Sequence, residues 1–229
     1  MLLLGIDTSG KNASASILDT DTETFIAQKT LYTQKTHSQV IMPIVSDIIS
    51  QCGKTIADIG AVAVANGPGS YTGLRIGVAA VKALGFGLDV KCCGVSTLEG
   101  LAYNNIAFIG TICSVMKARG ELVYCAVYNS DGYCLERVSD EQLISRDELA
   151  VFLAVRGESV LLCGDGAADF FTDYRSPKFI IAPPQARLQN ASGVCLAALS
   201  KEFTEPDALE VSYLQKVKAE KDLEERSAK

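Results

Sequence analysis

The chain places a glycine-rich loop between an apolar run and a run of small residues. The apolar run covers residues 59–65, the loop at 66–73 reads Asn-Gly-Pro-Gly-Ser-Tyr-Thr-Gly, and the small residues cover 78–88. This order predicts a buried strand, a tight loop and a helix, and therefore an α/β protein. Such a loop directs backbone N–H groups at the space over the helix N-terminus, where anions are favoured.

Three known glycine motifs do not fit this loop. The dinucleotide fingerprint G-x-G-x-x-G needs glycine where Thr72 stands. The phosphate-binding P-loop fails at the same position and lacks the following Lys-Ser/Thr pair. The nucleophile elbow G-x-S-x-G needs glycines where Pro68 and Thr72 stand, so the loop serine is not predicted to be a nucleophile.

Length, hydrophobicity and charge narrow the class of protein. At 229 residues with 48% hydrophobic content, the chain can form one large domain or two small ones. No apolar stretch reaches the roughly 18 residues of a membrane span, and the N-terminus lacks the basic region of a signal peptide. The formal net charge of −6 argues against a chain that binds a nucleic-acid backbone by itself.

The cysteines indicate a reducing compartment. There are eight, none forms a C-x-x-C pair, and most lie in apolar runs typical of strands. Free thiols behave in such places as small hydrophobic residues. We predict free cysteines and a cytoplasmic protein, with paired disulfides as the alternative.

Periodicity and turn residues predict the remaining elements. Strands are predicted at 1–7, 12–19, 23–32, 91–95, 106–115, 122–128 and 160–163, with a hairpin turn at 130–132. Helices are predicted from a cap at Thr36 or Ser38 to Gln51, and at 146–156 and 191–203. The charged tail after residue 216 is predicted to be a solvated helix.

The loop and its flanking motifs resemble the TsaB family, also called YeaZ. In order along the chain they are Leu-Gly-Ile-Asp-Thr-Ser at 4–9, His-Ser at 37–38 with Pro43, the glycine loop, Gly-Val-Ser-Thr-Leu-Glu-Gly-Leu at 94–101, Ala-Arg-Gly-Glu-Leu-Val-Tyr at 118–124 and Gly-Asp-Gly-Ala at 164–167. The resemblance implies an α/β fold of two ribonuclease-H-like subdomains of the actin/sugar-kinase/Hsp70 type. Residues 1–104 would form the N-terminal subdomain with partner-binding helices, and residues 105–229 the smaller C-terminal subdomain with the charged tail.

The same resemblance implies a function within a complex. The family supports synthesis of N6-threonylcarbamoyladenosine beside the anticodon of transfer RNA, as a non-catalytic subunit that dimerises with the transferase TsaD and activates it. A third protein, the ATPase TsaE, joins the complex. We expect a homodimer when the chain is alone, contact with transfer RNA only through the complex, and no membrane.

A comparison with TsaD predicts that the chain lacks catalytic and metal-binding residues. TsaD continues after its glycine loop with Val-x-His-x-x-x-His, in which two histidines hold a metal. Here Thr97 and Leu101 occupy those positions, and neither is a useful ligand. His37 is the only histidine, so a Ser/His/Asp triad would have to use it, and a role at the helix start is the favoured interpretation. We predict no cofactor.

Some residues match the nucleotide site of this fold class. They are predicted to be vestigial, and each has an alternative role as a turn or cap residue: Asp7, Thr8, Gly67, Gly69 and Asp165. The chain also departs from the family at Lys117, where relatives commonly have aspartate. That change inverts the local charge.

Two helices are candidates for the partner interface. The resemblance implies that the helix at 38–51 and the helix after the glycine loop form a bundle with a partner. We expect five residues near that interface: Ile41, Ile44, Ile48, Ala80 and Leu84. The alternative is that both helices only cover their own sheet.

A second functional hypothesis is an independent ATP-dependent kinase or acyltransferase of the same fold. It would need Asp7 and Asp165 to hold Mg-ATP. A third hypothesis, a peptidase, is disfavoured by the single histidine and the lack of a metal-ligand cluster.

Overall fold

The computed structural model describes residues 1–32, 35–156 and 159–214. The predicted helix after residue 216 lies outside the described residues. Among the helices that the structure describes, none is long and apolar enough to cross a membrane.

The first sheet begins with three antiparallel strands and continues with two parallel ones. Its strands are β1 (Leu2–Asp7), β2 (Asn12–Asp19), β3 (Thr24–Tyr32), β4 (Ile59–Gly67) and β5 (Cys92–Ser96). The strand order is β3-β2-β1-β4-β5. Strand β2 pairs antiparallel with β1 and β3, whereas β4 lies parallel to β1 and to β5.

The second sheet repeats this plan. Its strands are β6 (Gly110–Lys117), β7 (Leu122–Ser130), β8 (Leu135–Arg137), β9 (Gln142–Ser145), β10 (Val160–Cys163) and β11 (Phe179–Ile181). The order is β11-β10-β6-β7-β8, and β9 pairs with the first half of β7, so β8 and β9 together take the place of β3. The predicted pair of ribonuclease-H-like units is confirmed by this repeated order.

Helices connect the strands and cover the sheets. They are α1 (His37–Gln51), α2 (Tyr71–Leu88), α3 (Thr97–Tyr103), α4 (Arg146–Ala154), α5 (Ala167–Asp173), α6 (Pro184–Arg187) and α7 (Ala191–Ala198). Two short 3₁₀ turns lie at Ile56–Asp58 and Pro206–Ala208.

Helix α1 shows why the sequence folds this way. It begins after Thr36, whose backbone N–H donates to the side-chain oxygen of Gln39 at 3.3 Å. Six of its apolar residues recur at helical spacing and are buried: Val40, Ile41, Ile44, Val45, Ile48 and Ile49. They join the core above β1, β2 and β4. The apolar stripe of α1 is therefore its inner face.

Several predicted boundaries were wrong. Strand β6 begins at Gly110 and not at 106, because the side-chain N–H of Asn105 donates to the Leu101 carbonyl and turns the chain after α3. Helix α3 was not predicted, helix α4 ends at Ala154, and α7 ends at Ala198 instead of 203. After α7 the chain leaves the helix and Thr204 pairs with Cys92 of β5.

Helices α3 and α7 join the two halves. Helix α7 packs on the first sheet, whereas Leu98 and Leu101 of α3 pack on the second sheet. The two helices touch at Gly193, where an added Cβ would lie 2.0 Å from the carbonyl oxygen of Gly100. The division into 1–104 and 105–229 stays a prediction, but residues 191–214 return to the first sheet and do not pack as part of the second unit.

Candidate functional site

Asp7 lies at the end of β1, in the turn that leads to β2. Its carboxylate accepts hydrogen bonds from the backbone N–H and the hydroxyl of Ser9, at 2.9 and 2.6 Å. The residue is 3% exposed. Burial raises the pKa of the Asp7 carboxyl, while the two Ser9 bonds and the nearby His37 act in the opposite direction. The carboxylate is thus held inside the turn.

The glycine loop packs directly on this turn. The backbone N–H of Ser70 donates to the Ser9 carbonyl at 2.8 Å, and the Thr8 hydroxyl donates to the Gly73 carbonyl at 2.8 Å. An added Cβ would lie 2.6 Å from the Ser9 oxygen at Gly69, and 2.1 Å from the Thr8 oxygen at Gly73. These glycines allow two backbone segments to touch, which is a structural use of the loop.

The start of α2 is capped from within the chain. The Ser70 hydroxyl accepts a hydrogen bond from the Gly73 N–H at 3.2 Å. Gly67 lies on another side of the loop, with φ +143° and an added Cβ 1.9 Å from the Ser212 carbonyl oxygen. Of the predicted nucleotide-site residues, Asp7, Thr8 and Gly69 lie together at the turn, and Gly67 contacts the C-terminal segment.

Asp165 lies in the turn after β10. Its carboxylate accepts a hydrogen bond from the Lys117 backbone N–H at 2.9 Å. Burial raises the pKa of the Asp165 carboxyl, and the charges of Lys117 and Lys11 oppose that effect. Lys11 follows the first turn, so that turn lies close enough to the turn after β10 for the Lys11 charge to act on Asp165. The Lys117 ammonium lies 2.6 Å from the Asp169 carboxylate.

Helix α3 contains Thr97 and Leu101, the two positions compared above with metal ligands. Thr97 and Leu101 are one helical turn apart and are 1% and 0% exposed. Leu101 packs among the apolar side chains of the second sheet. Among the described residues, no group of three or more His, Cys, Asp or Glu side chains could hold a metal ion. Leu101 offers no ligand atom, and the neutral Thr97 hydroxyl is a poor substitute for imidazole.

Sequence comparisons place the chain in a family. The sequence profile described as "TsaD: tRNA N6-adenosine threonylcarbamoyltransferase" matches residues 26–214. The Bacillus subtilis (strain 168) tRNA threonylcarbamoyladenosine biosynthesis protein TsaB is 32% identical over 223 residues, which cover 96% of each chain. This chain belongs to the TsaB family. The Escherichia coli (strain K12) TsaB protein is 33% identical over 133 residues, which cover 57% of this chain and 56% of that one.

Solved structures confirm the fold of this TsaB-family protein. YeaZ from Pseudomonas aeruginosa aligns with a TM-score of 0.80 at 22% identity, covering 93% of this chain and 99% of that chain. A chain of the PilM-PilN type IV pilus biogenesis complex aligns with a TM-score of 0.51 at 9% identity, covering 87% and 99%. The predicted actin/sugar-kinase/Hsp70 type of fold is confirmed.

The predicted interface residues of this TsaB-family protein need correction. Ile41, Ile44 and Ile48 are 1%, 2% and 4% exposed, and Leu84 is 9% exposed. These side chains form part of the chain's own core against the first sheet. They are unavailable to a partner without opening that core. Ala80 is half-buried.

Other residues on the same two helices are accessible. Phe86 of α2 is 64% exposed and Met42 of α1 is 41% exposed, while Ala79 and Ala83 are exposed on the same side of α2 as Phe86. A groove of about 450 Å³ lies along α1; of these four residues only Met42 lines it, together with Val45, Ser46, Ile49, Ser50, Lys54, Thr55, Ile56 and Leu84. We define Met42, Ala79, Ala83 and Phe86 as the outer face of α1 and α2.

His37 is the first residue of α1 and is half-buried. Its ring lies beside the glycine loop, because an added Cβ at Gly73 would lie 3.3 Å from the His37 Nδ1 atom. The ring therefore packs where α1, α2 and the first turn meet.

Sequence reasoning missed the C-terminal segment, residues 204–213. The segment runs back along α2: the Lys82 ammonium donates to the Asp207 carbonyl at 3.1 Å, and the Tyr213 ring stacks on Tyr71 with centroids 5.3 Å apart. The Ser212 N–H donates to the carbonyl of Asn66 in the loop at 2.8 Å. The segment has no periodic pattern, so only Pro206, which marks a turn, gave a signal.

The raised pKa of Asp7 gives a prediction for stability against pH. The folded state binds the Asp7 proton more tightly than the unfolded chain, so the ionised carboxylate lowers stability as pH rises above the ordinary value of 3.8. Asp7→Asn, whose carbonyl can still accept both Ser9 bonds, is expected to raise the free energy of unfolding at pH 7. The gain should shrink as pH falls towards 4, and urea unfolding at both pH values measures it.

Asp58→Asn is the matched control. Bonds from the Thr55 N–H and hydroxyl lower the pKa of the exposed Asp58 carboxyl. Its stabilising contribution is therefore present at neutral pH and lost as pH falls, so this variant is expected to lose stability at pH 7. If Asp7→Asn also lost stability at pH 7, the conclusion that the ionised Asp7 carboxylate destabilises the fold would be wrong.

Proposed function

We propose that this chain is a non-catalytic subunit that supports threonylcarbamoyl transfer to transfer RNA by a TsaD-type transferase. The observation that carries the proposal is the burial of Thr97 and Leu101 in α3. These residues stand where the transferase has metal-binding histidines, and they use the same helix for packing between the two sheets. The name of the Bacillus subtilis relative, tRNA threonylcarbamoyladenosine biosynthesis protein TsaB, supports this role.

The alternative of an independent kinase or acyltransferase needs a working nucleotide site. Asp7 is bound to Ser9 inside its turn, and Thr8 and Ser9 fill the space beside the glycine loop. A Mg-ATP complex would have to displace these contacts. No observation favours this alternative.

A prediction about ATP separates the two functions. Millimolar Mg-ATP is expected to change the melting temperature of the wild type and of Asp7→Asn by the same amount, because neither binds nucleotide at this turn. Ligand at about 100 times its dissociation constant stabilises a protein by about 2.7 kcal/mol, which thermal unfolding detects easily. A stabilisation by ATP in the wild type that is absent in Asp7→Asn would favour the enzyme.

The proposed partner surface is the outer face of α1 and α2. It combines one exposed aromatic side chain, Phe86, with the small Ala79 and Ala83, which allow close approach of another helix. The groove that Met42 lines adds accessible apolar area on α1. We assign this face to the TsaD-type transferase in the complex and to a second copy when the chain is alone.

The remaining parts of the proposal concern transfer RNA, a third protein and the location. The net charge of −6 supports contact with transfer RNA through the complex and not through this chain alone. A TsaE-type ATPase is proposed as a further member, and the cytoplasm as the location.

Sedimentation velocity of the purified chain with the TsaD-type protein of its own organism tests the partner assignment. A heterodimer that forms at the expense of the homodimer is expected. Two species that sediment independently at micromolar concentration would contradict the assignment.

A further inference from the structure

A cavity of about 550 Å³ lies in the second half of the chain, away from the first turn and from the outer face of α1 and α2. It is formed by α4, α5, the loop at 174–178 and the start of β11. Leu153 and Phe179 give it a buried apolar floor, and the half-buried ring of Tyr174 lies on its wall. The cavity is open to solvent, and its size and mixed polar and apolar lining lie within the range of small-molecule sites.

The charges at this cavity are unbalanced. Arg175 and Lys178 both line it. The nearest acid in the lining, Asp173, is already paired with Arg146 at 2.5 Å. The Asp147 carboxylate accepts a hydrogen bond from the Tyr174 hydroxyl at 2.5 Å. The acids are therefore engaged with neighbours.

The two cations have no acidic partner in the part of the chain that the structure describes. Arg175 takes part in no ion pair there. The Lys178 ammonium donates to the Arg156 carbonyl at 3.0 Å, which holds the side chain but leaves its charge uncompensated. The cavity is thus positive in a chain whose net charge is −6. Such a local field favours an anion.

A second cavity, of about 380 Å³, adjoins the first and shares Thr172, Arg175 and Ser176 with it. Phe171 and Pro177 supply its apolar side. Arg175 therefore stands between two apolar surfaces, with two hydroxyl groups beside it. A planar guanidinium in this setting can bind a phosphate or carboxylate with two hydrogen bonds.

We propose that this cavity binds a small organic anion in which a phosphate or a carboxylate is attached to an aromatic ring. The anionic group bonds to Arg175 and Lys178, and the ring packs on Leu153, Phe179 and Tyr174. The apolar floor distinguishes such a ligand from inorganic phosphate, which leaves that surface in contact with water. This site does not depend on the function proposed above.

Calorimetric titration with phenyl phosphate, phenylacetate and inorganic phosphate tests the proposal. Saturable binding of at least one aromatic anion is expected, at least about tenfold tighter than inorganic phosphate because the ring is buried. Arg175→Ala should weaken that binding by about tenfold or more, since it removes a charge-assisted pair. The exposed Lys91→Ala, on the first half, is the matched control and should bind as the wild type does.

The outcomes separate the ligand classes. Tighter phenyl phosphate assigns an aryl phosphate, and tighter phenylacetate assigns a carboxylate that carries an aryl group. A second variant, Ala154→Trp, fills the mouth of the cavity from an exposed position and should also abolish binding. The proposal is overturned if neither aromatic anion binds saturably below about 10 mM, or if both variants bind as tightly as the wild type.

Discussion

Gly193→Ala is expected to lower the free energy of unfolding by about 3 kcal/mol or more. The new Cβ would lie 2.0 Å from the Gly100 carbonyl oxygen and 2.7 Å from the Asn104 side-chain oxygen. The first of these is backbone of α3, which is packed between the two sheets and cannot move aside cheaply. Urea unfolding followed by circular dichroism measures the loss.

Gly100→Ala is the matched control, because it adds the same methyl group to α3, the helix that faces Gly193 of α7. Its Cβ would meet Val194 and Gly193 atoms at 3.6–3.7 Å, which is ordinary van der Waals contact. Alanine also has a better helix propensity than glycine by about 1 kcal/mol. We expect unchanged or raised stability. Equal losses of stability in both variants would contradict the account in which only a side chain at position 193 collides with the facing helix.

Phe86→Glu is expected to abolish binding to the TsaD-type transferase while leaving the free chain folded. The side chain is 64% exposed, so its replacement removes little of the chain's own packing. In the complex it would place an unpaired charge in an apolar contact, which costs about 3–5 kcal/mol, or more than a hundredfold in affinity. Sedimentation velocity and thermal unfolding measure the two effects separately.

Two further variants make this test specific. Val155→Glu replaces another exposed apolar residue, 82% exposed, in the second half of the chain, and should leave binding unchanged. Ile44→Asp is unsuitable, because Ile44 is 2% exposed and its replacement would unfold the chain. Wild-type affinity in Phe86→Glu would remove the outer face of α1 and α2 from the proposed interface.

Elements with a clear pattern in their own short stretch of sequence were predicted, and elements that depend on distant contacts were not. The strand–loop–helix unit at 59–88 and the strand at 160–163 follow from apolar runs bounded by glycines, and both were predicted. Helix α3 has only seven residues, and its sequence carries no stripe because almost every position is buried. Ser96 marks its start, because the Ser96 hydroxyl accepts hydrogen bonds from the Leu98 and Glu99 N–H groups. The rest of its support comes from packing against α7 and the second sheet, which a local pattern does not contain.

The candidate site was harder to predict than the fold. The glycines mark the loop correctly, but the sequence does not reveal that Thr8 and Ser9 occupy the space in front of it. In the same way, the apolar residues of α1 at helical spacing are the ones that its own sheet buries. An interface on the outer side of α1 and α2 depends instead on exposed side chains, such as Phe86 of α2. These residues do not belong to the repeating apolar positions that identify a helix in the sequence.

The central claim is that this chain supports the transfer reaction without performing it. The direct test is threonylcarbamoyl transfer to transfer RNA with the threonylcarbamoyl adenylate supplied, measured for the chain alone, for the TsaD-type transferase alone and for both together. Modified transfer RNA is expected only, or at a much higher rate, when both proteins are present. Transfer by this chain alone would contradict the account and place a catalytic centre within it.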